Sequence, residues 1–437
     1  MKNIYFLLFL FVFISCKNDS QKSEQPTVVT TAADYSAYLE LDDHEQITQL
    51  QLDIDSLEIV VANNPIGVLD LGRLSSKLNT LYDLKGDVNN LNRSVEMQEA
   101  VVENMYIKPN NSKRELAQAY IKLHQFKKAD SLMSSFAKQD LSRESQMIYF
   151  DIAMELGDYS RAEKMLNALK NSQDYNYLIR AAKWNDYKGD LAATIRLMEK
   201  AKTLADQSGN LSLQLWTNSN IADYYGHDGQ IERSYEHYLK TLQLDPNDSY
   251  ALKGIAWIVY SYEKNPNEAL RILTALKKRH PLPDYDLAIA EIKEFQKQTE
   301  AAEELRQSFL EEVSNPAYGN MYNTYKIEQL VNGNNEEKQQ ALIIAKNEVE
   351  NRSTPETQSL LSLAFLKNGM MNEALENQQK YVMDKTFEPV AQLHSLEILI
   401  ENGKKQKALE YGNDLLEAEY ELGPVTLNHI KQILSSI

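Results

Sequence analysis

Apolar residues recur at helical spacing from about Asp34 to Ile437, with few interruptions by turn-forming residues. The recurring glycines that separate two such stretches are Gly157, Gly189, Gly229, Gly369 and Gly403. The small or short residues five positions after them are Ala162, Thr194, Ser234, Ala374 and Ala408. Two further sites keep the pattern without the glycine, His124 with Ala129 and Lys264 with Ala269. The pattern predicts pairs of helices that repeat along the chain.

Helix geometry explains this spacing. A glycine in the left-handed conformation ends a helix at low cost, and a small residue five positions later lets the second helix approach the first closely. The predicted units begin near residues 72, 110, 143, 175, 215, 250, 283, 322, 355 and 389. Ahead of them, residues 55–65 are predicted as the second helix of an incomplete unit. Because a single helix pair cannot bury its apolar face alone, we expect neighbouring pairs to stack.

One unit, Ile221–Pro246, resembles the tetratricopeptide repeat along nearly its whole length. Ala222 is the small residue of its first helix, Tyr225 the aromatic residue one turn later, and Tyr238 the large aromatic residue of the second helix. Partial matches occur at residues 116–133, 149–166 and 361–378. The resemblance implies an all-α, right-handed superhelical solenoid of about ten repeats over residues 34–423. Residues 424–437 are predicted to form a terminal helix that caps the last repeat.

The first residues have a different character. Lys2 is followed by an unbroken apolar run, Ile4–Ile14, which is shorter than the roughly 20 residues of a membrane-spanning helix and suits a secretory signal. The run ends in Ser15-Cys16, which resembles a bacterial lipobox, and the resemblance implies that residues 1–15 are a lipoprotein signal peptide and that Cys16 carries the lipid. The alternative is an ordinary signal peptide with a leftover cysteine. The polar residues 16–33 are predicted to form a flexible tether.

These features predict a palmitate-bearing lipoprotein attached to a membrane of the bacterial cell envelope. Lys17, directly after the cysteine, is compatible with sorting to the outer membrane, and the short signal rich in Phe and Ile resembles those of Bacteroidota. Both the periplasmic and the outer face remain open. Cys16 is the only cysteine, so its acylation would leave no thiol for disulfides or thiol catalysis.

Composition narrows the class of partner. The formal net charge is −17, which disfavours nucleic acid because phosphate binding draws its affinity from clusters of Lys and Arg. The acidity is explained either by the solubility of a large surface or by a cationic partner. The chain has only 15 Gly and 11 Pro, as expected for long helices with short turns, and we interpret most of its 25 Tyr as core residues.

Patterns of catalytic and ligand-binding residues are missing from the sequence. We find no His-Glu-x-x-His, no Gly-x-Ser-x-Gly, no phosphate-binding glycine loop and no calcium loop. Adjacent acidic residues such as Asp42 and Asp43 point in different directions on a helix, so they are interpreted as solvated. The sequence therefore predicts a protein that is not an enzyme and that has no cofactor and no metal.

The first helix of each pair is predicted to line the concave surface. The polar positions projected there are Arg114, Gln118, Lys122, Asp151, Glu155, Lys183, Asp186, Tyr187, Trp216, Asp223 and His227. A wall of mixed charge that includes Trp216 and Tyr187 is suited to an extended peptide or to the face of a sugar. The alternative is that any solvated concave surface shows polar residues without a binding role.

Two functions follow from this pattern. The main hypothesis is a lipid-anchored adaptor that binds a protein or peptide in the concave groove. The second is an outer-membrane nutrient-binding lipoprotein of the starch-utilisation type, a class that combines tetratricopeptide helices with long insertions that bind glycans. The chain has three Trp and no gap between repeats long enough for such an insertion, which favours the adaptor.

Overall fold

The computed structural model describes residues 27–41, 43–107, 109–136 and 140–436. The predicted signal peptide, and Cys16 with it, lie outside the described residues. Within the described residues the chain forms 23 α-helices and no β-strand. None of the helices in these ranges combines the length and the apolar content that a bilayer crossing requires.

Two helices precede the repeats, α1 (Ala32–Leu39) and α2 (His44–Asn63). The ten helix pairs are α3 (Val68–Lys85) with α4 (Val88–Asn104), α5 (Pro109–Lys122) with α6 (Phe126–Ser134), α7 (Arg143–Leu156) with α8 (Tyr159–Leu169), α9 (Tyr175–Tyr187) with α10 (Leu191–Ser208), α11 (Leu211–His227) with α12 (Ile231–Leu244), α13 (Ser249–Trp257) with α14 (Pro266–Arg279), α15 (Asp284–Phe295) with α16 (Thr299–Glu312), α17 (Asn323–Leu330) with α18 (Asn335–Asn351), α19 (Pro355–Lys367) with α20 (Met371–Tyr381), and α21 (Pro389–Glu401) with α22 (Lys405–Leu415). A π-helical turn, Ile258–Tyr262, extends α13. The last helix is α23 (Glu419–Ser435), preceded by a 3₁₀ turn, Leu416–Ala418.

The predicted all-α solenoid of about ten helix pairs is confirmed. Consecutive helices pack against each other throughout, and the pairs begin within a few residues of the predicted starts. The five turn glycines have φ between +67° and +77°, while His124 and Lys264 reach the same left-handed region with φ of +54° and +55°. All seven small residues that follow these turns are completely buried, which explains why the second helix can approach the first.

Many of these helices begin directly after a capping residue. The helices α7, α8, α9, α10, α11, α13 and α14 are each preceded by a Ser, Asp or Asn whose side chain accepts a hydrogen bond from the first turn. Such caps satisfy backbone N–H groups that have no partner within the helix. The helix pairs are therefore specified locally, and stacking adds the burial that holds them together.

Successive turns of the superhelix touch each other. The Asn92 side chain donates a hydrogen bond to the Ala317 carbonyl at 2.8 Å, 225 residues later in the chain. Arg352 pairs with Glu155 at 3.4 Å across a separation of 197 residues. Each of these contacts joins units about six pairs apart, so one turn of the superhelix takes about six pairs and the second turn rests on the first.

The N-terminal segment binds the solenoid at Glu263 and Glu268, near the start of α14. The backbone N–H groups of Val29 and Thr30 donate to Glu263 Oε1 at 2.8 and 2.7 Å. Tyr35 in α1 is buried, and its hydroxyl donates to Glu268 at 2.8 Å. Residues 29–31, which fall within the predicted tether, are therefore docked on Glu263 and on Tyr235 of α12.

The C-terminal segment also does more than the predicted cap. Gly423 has φ +75° and ψ 166°, which breaks α23 just before Pro424, the predicted start of the capping helix. The helix packs against α22 and also against α11, α15, α21 and the π-helical turn. Residues 416–426 thus lie inside the superhelix, which the sequence pattern did not indicate.

Candidate functional site

The residues predicted to line the groove lie on the first helices of four consecutive pairs. The helix α5 carries Arg114, Gln118 and Lys122, α7 carries Asp151, α9 carries Lys183, Asp186 and Tyr187, and α11 carries Trp216, Asp223 and His227. The structure brings some of them to a shared cavity and pairs the others with neighbouring repeats. They therefore differ in how available they are to a ligand.

Several of the predicted charges form ion pairs between adjacent repeats. Lys122 Nζ lies 2.7 Å from Asp83 Oδ1 of the preceding pair. Asp151 accepts from Arg180 Nη2 at 2.6 Å, and Glu155 accepts from Lys183 Nζ at 2.8 Å. The mixed-charge wall is largely neutralised within the protein, because the first helices of neighbouring pairs lie side by side.

Three more predicted residues have packing roles or lie in a shallow recess. Arg114 Nη1 lies 2.6 Å from Asp140 Oδ2 and is mostly buried. The ring of Tyr187 stacks on that of Tyr159 with 4.0 Å between centroids. Gln118 is exposed and faces an open recess of about 330 Å³ beside Arg114 and Arg180.

Trp216 and Asp186 do not line a common cavity. The Trp216 side chain is 42% exposed and lines none of the cavities described here among the described residues. Asp186 lines a small recess of about 150 Å³ with His227 and Glu388. Burial raises the pKa of Asp186, and burial together with neighbouring carboxylates raises the pKa of Glu388 to about 7.

Asp223 and His227 meet at an aromatic cavity of about 250 Å³ inside the superhelix. Its aromatic lining comprises Tyr238, Tyr250, Trp257, Tyr260 and Tyr420. Asp223 accepts hydrogen bonds from the Tyr238 hydroxyl and, at 2.7 Å, from the Tyr250 hydroxyl. Burial raises the pKa of Asp223, and the two hydroxyl donors oppose that shift. The pair identified from sequence is thus part of a larger, mainly aromatic site.

A second cavity of about 720 Å³ continues from the first and shares Lys253, Trp257 and Ala288 with it. Its carboxyl groups are those of Asp284, Glu291, Glu294, Glu303, Glu328 and Glu337, against the two cations Lys253 and Arg306. Both cations are already paired within the cavity, Lys253 with Asp284 and Arg306 with Glu294. The cavity therefore presents an excess of negative charge.

Two of these carboxyl groups are strongly perturbed. Burial raises the pKa of Glu291 to about 7, although the Tyr260 hydroxyl donates to it at 3.2 Å. Burial alone raises the pKa of Glu328 to about 7. The Glu328 carboxylate has no hydrogen-bonding or ionic partner within the ranges that the structure describes, and it keeps some contact with water inside the cavity. An unpaired carboxylate in a cavity is suited to a cationic group of a ligand.

Sequence analysis missed the residues that complete this site. Trp257, Glu291 and Glu328 lie on helices of later repeats than the predicted groove residues, and Tyr420 comes from beyond the last pair. The available signals were the aromatic run at 257–262 and the helix break at Gly423-Pro424. Neither signal indicates a site by itself, because the two segments meet only through the superhelical turn, across about 160 residues of sequence. In the part of the chain that the structure describes, no group of three His, Cys, Asp or Glu side chains could hold a metal ion.

Comparison with known proteins gives matches among solved structures. The sequence matches no protein-family model and no curated protein. Among solved structures, human IFIT1, solved as a dimer with PPP-AAAA, is similar over 77% of this chain and 87% of its own, with 16% identity and a TM-score of 0.42.

Two further structures are similar at the same level. Yeast Tom70 shares 12% identity over 93% of this chain and 97% of its own, with a TM-score of 0.40. A tetratricopeptide repeat protein from Parabacteroides merdae shares 13% identity over 68% of this chain and 98% of its own, with a TM-score of 0.35. These likenesses concern the arrangement of helices alone.

Proposed function

We propose that this protein is a scaffold that holds a segment of another protein inside its superhelix and does so without catalysing a reaction. The observation that supports this function best is the continuous interior of two adjoining cavities, of about 250 and 720 Å³, with aromatic rings at one end and carboxylates at the other. Aromatic rings anchor a partner's apolar side chains, and Glu328 offers an unpaired charge to a lysine or arginine. The same carboxylates would repel a phosphate backbone.

Tyr325 provides a direct test of this function. It lines the larger cavity and is 40% exposed, so a photo-crosslinking amino acid at this position faces the interior. The matched control is Ile343 on α18, which is 60% exposed and lines none of the cavities described here. We expect one stoichiometric partner protein to be captured from position 325 in the native envelope, and none from position 343.

The Glu328→Lys change makes the same experiment specific for the cavity. It should abolish capture from position 325, because it reverses the unpaired charge of the cavity. Equal capture from both positions, or capture that is unaffected by Glu328→Lys, would contradict the proposal. Absence of any protein partner, together with glycan binding that depends on Trp216, would support the nutrient-binding alternative instead.

We also propose that the scaffold is attached to a bacterial envelope membrane through acyl chains, palmitate among them, on Cys16. This rests on the signal-like residues 1–15 and on Cys16 as the only cysteine. An alkyne analogue of palmitate should label the full chain and should fail to label a Cys16→Ser chain. Labelling of the Cys16→Ser chain, or its unchanged recovery in the membrane fraction, would refute the anchor.

A further inference from the structure

Residues 416–423 enter the interior of the superhelix, and Tyr420 is their central contact. The Tyr420 carbonyl accepts two hydrogen bonds, from Trp257 Nε1 at 2.9 Å and from Ser261 Oγ at 2.6 Å. Both donors come from the end of α13 and its π-helical turn, more than 150 residues earlier in the chain. These two side-chain donors hold the backbone of Tyr420 against the inner wall.

The Tyr420 side chain fills a notch in α11. Gly226 forms the notch, since a methyl group at this position would lie 2.6 Å from the Tyr420 ring. Gly226 is buried within α11 and does not end the helix, so its lack of a side chain serves the contact rather than the turn. The ring also forms part of the wall of the aromatic cavity.

The two neighbours of Tyr420 carry carboxylates that each face a basic side chain. Glu419 Oε1 lies 3.0 Å from Lys264 Nζ, and Glu421 Oε2 lies 3.8 Å from His227 Nδ1. The sequence Glu-Tyr-Glu therefore meets three separate partners on the inner wall. A helix that only sealed the last repeat would need none of them.

The same segment lies between the aromatic cavity and a neighbouring cavity of the interior. Tyr420 and Glu421 line the aromatic cavity and also a neighbouring cavity of about 440 Å³, and Val425 with Thr426 lines the large acidic cavity. The break at Gly423 separates the inserted residues from the rest of α23. Withdrawal of residues 416–423 would remove Tyr420 and Glu421 from between the aromatic cavity and the cavity of about 440 Å³.

We propose that residues 416–423 are an internal occupant of the aromatic end of the partner-binding site, and that this end is specific for an aromatic residue flanked by carboxylates, whereas Glu328 lies at the other, acidic end. This inference rests on the proposed scaffold function and names the chemistry of its ligand. A partner segment with that chemistry competes with the chain's own segment for Gly226, Trp257, Ser261 and Lys264. Because a tethered occupant has a high effective concentration, it lowers the apparent affinity for a free segment.

A synthetic peptide tests this competition. The probe is a fluorescent peptide of residues 416–426, LEAEYELGPVT, added to the full chain and to a full-length Tyr420→Ala variant. The variant should bind the peptide about tenfold more tightly or better, as expected when a site occupied nine-tenths of the time is freed. The same peptide carrying the Tyr420→Ala change should bind neither protein.

A zero-length carbodiimide crosslink reports the position of the segment. In the unmodified chain it should join Lys264 to Glu419, whose side chains form an ion pair. In Tyr420→Ala it should join Lys264 to the equivalent glutamate of the added peptide. A second variant, Gly226→Val, fills the notch, so it should lose the internal crosslink and bind no peptide.

A Tyr420→Ala chain that keeps its helical content and internal crosslink, and that binds no peptide, would overturn the inference, as would an internal crosslink retained in Gly226→Val. Residues 416–423 would then be fixed packing. Either result leaves the proposed function intact if position 325 still captures a partner. Loss of that capture alone would refute the scaffold function.

Discussion

At the residue scale, the turn within nine of the ten helix pairs contains a residue in the left-handed backbone conformation. Glycine occupies this position in six pairs, whereas His124, Lys264 and Lys297 occupy it in three others, with φ between +54° and +62°. A residue with a side chain pays about 1 to 2 kcal/mol for this conformation. The recurring glycines therefore stabilise the turns because they adopt this conformation without that cost.

A pair of identical substitutions separates this effect from packing. Gly369 has φ +77° and Gly72 lies within α3, and at both positions an added methyl group would meet no atom within 4 Å. We expect Gly369→Ala to lower the free energy of unfolding by about 1 kcal/mol and Gly72→Ala to raise it by about 0.5 to 1 kcal/mol. Urea denaturation followed by circular dichroism measures both changes, and a shift of the same sign in the two variants would contradict the interpretation.

Glu328 shows the cost of an unpaired carboxylate at the residue scale. Burial raises its pKa from the ordinary 4.5 to about 7, so the folded state binds more protons than the unfolded state between these values. The stability that Glu328 contributes is therefore complete below about pH 4.5 and is lost as the pH rises through 7. We expect Glu328→Gln to remove this loss and to stabilise the protein at pH 8 by about 1 to 3 kcal/mol.

The measurement is the difference in unfolding free energy between Glu328→Gln and the unmodified chain at pH 5 and at pH 8. The difference should be larger at pH 8. Glu410→Gln is the control, because Glu410 is exposed on α22 and its charge is already solvated. A difference for Glu328→Gln that does not change with pH would show that this carboxylate is not desolvated.

At the scale of the element, the π-helical turn after α13 connects the two ends of the chain. Glu263 directly follows this turn and accepts hydrogen bonds from Val29 and Thr30 of the N-terminal segment. The next residue, Lys264, pairs with Glu419 of the C-terminal segment. The N-terminal segment and the proposed internal occupant therefore dock on adjacent residues, Glu263 and Lys264.

We expect Glu263→Ala to release the N-terminal segment. The buried Glu263 side chain is the only acceptor recorded for the Val29 and Thr30 N–H groups within the described residues. Hydrogen bonds to a charged group contribute about 1.5 to 3 kcal/mol, so exchange of these two amides should accelerate about tenfold or more. Hydrogen–deuterium exchange measures this, with Glu304→Ala on the exposed face of α16 as the control. Unchanged protection of residues 29 and 30 would contradict the assignment.

At the scale of the whole molecule, contacts between successive turns determine the pitch of the superhelix. Arg352 binds Glu155 of the first turn at 3.4 Å, and its guanidinium lies 5.4 Å from the centre of the Phe126 ring. Arg180 forms a comparable, mostly buried ion pair with Asp151, but between adjacent pairs of the same turn. The two arginines therefore allow contacts between turns to be tested separately from contacts within a turn.

Arg352→Ala should let the second turn separate from the first, and Arg180→Ala should not. Both changes are expected to cost about 1 to 3 kcal/mol of stability, because each removes charged hydrogen bonds from a partly buried site. Small-angle X-ray scattering should show a larger radius of gyration for Arg352→Ala alone. An equal radius for all three proteins would mean that the other contacts between turns are sufficient to hold the pitch.

The helix pairs could be predicted from the sequence alone, because the residues that specify each pair lie within that pair. A turn residue, a small residue five positions later and a capping side chain all act within one unit, so the unit near Gly229 could be assigned without any distant residue. The same pattern identified Asp223 and His227, which the structure places in the aromatic cavity. The predicted lipid on Cys16 stays a prediction.

Which polar residues remain available to a ligand, and which residues fill the interior, depends on tertiary contacts. Lys122 and Lys183 were predicted for the groove, and they form ion pairs because adjacent first helices lie side by side. Trp257 and Tyr420 meet across 163 residues, a contact that depends on the angle between successive repeats summed around the superhelix. The small rotation between successive repeats is set by packing and has no local sequence signature. The residues of the candidate site could therefore be identified only from the complete superhelical turn.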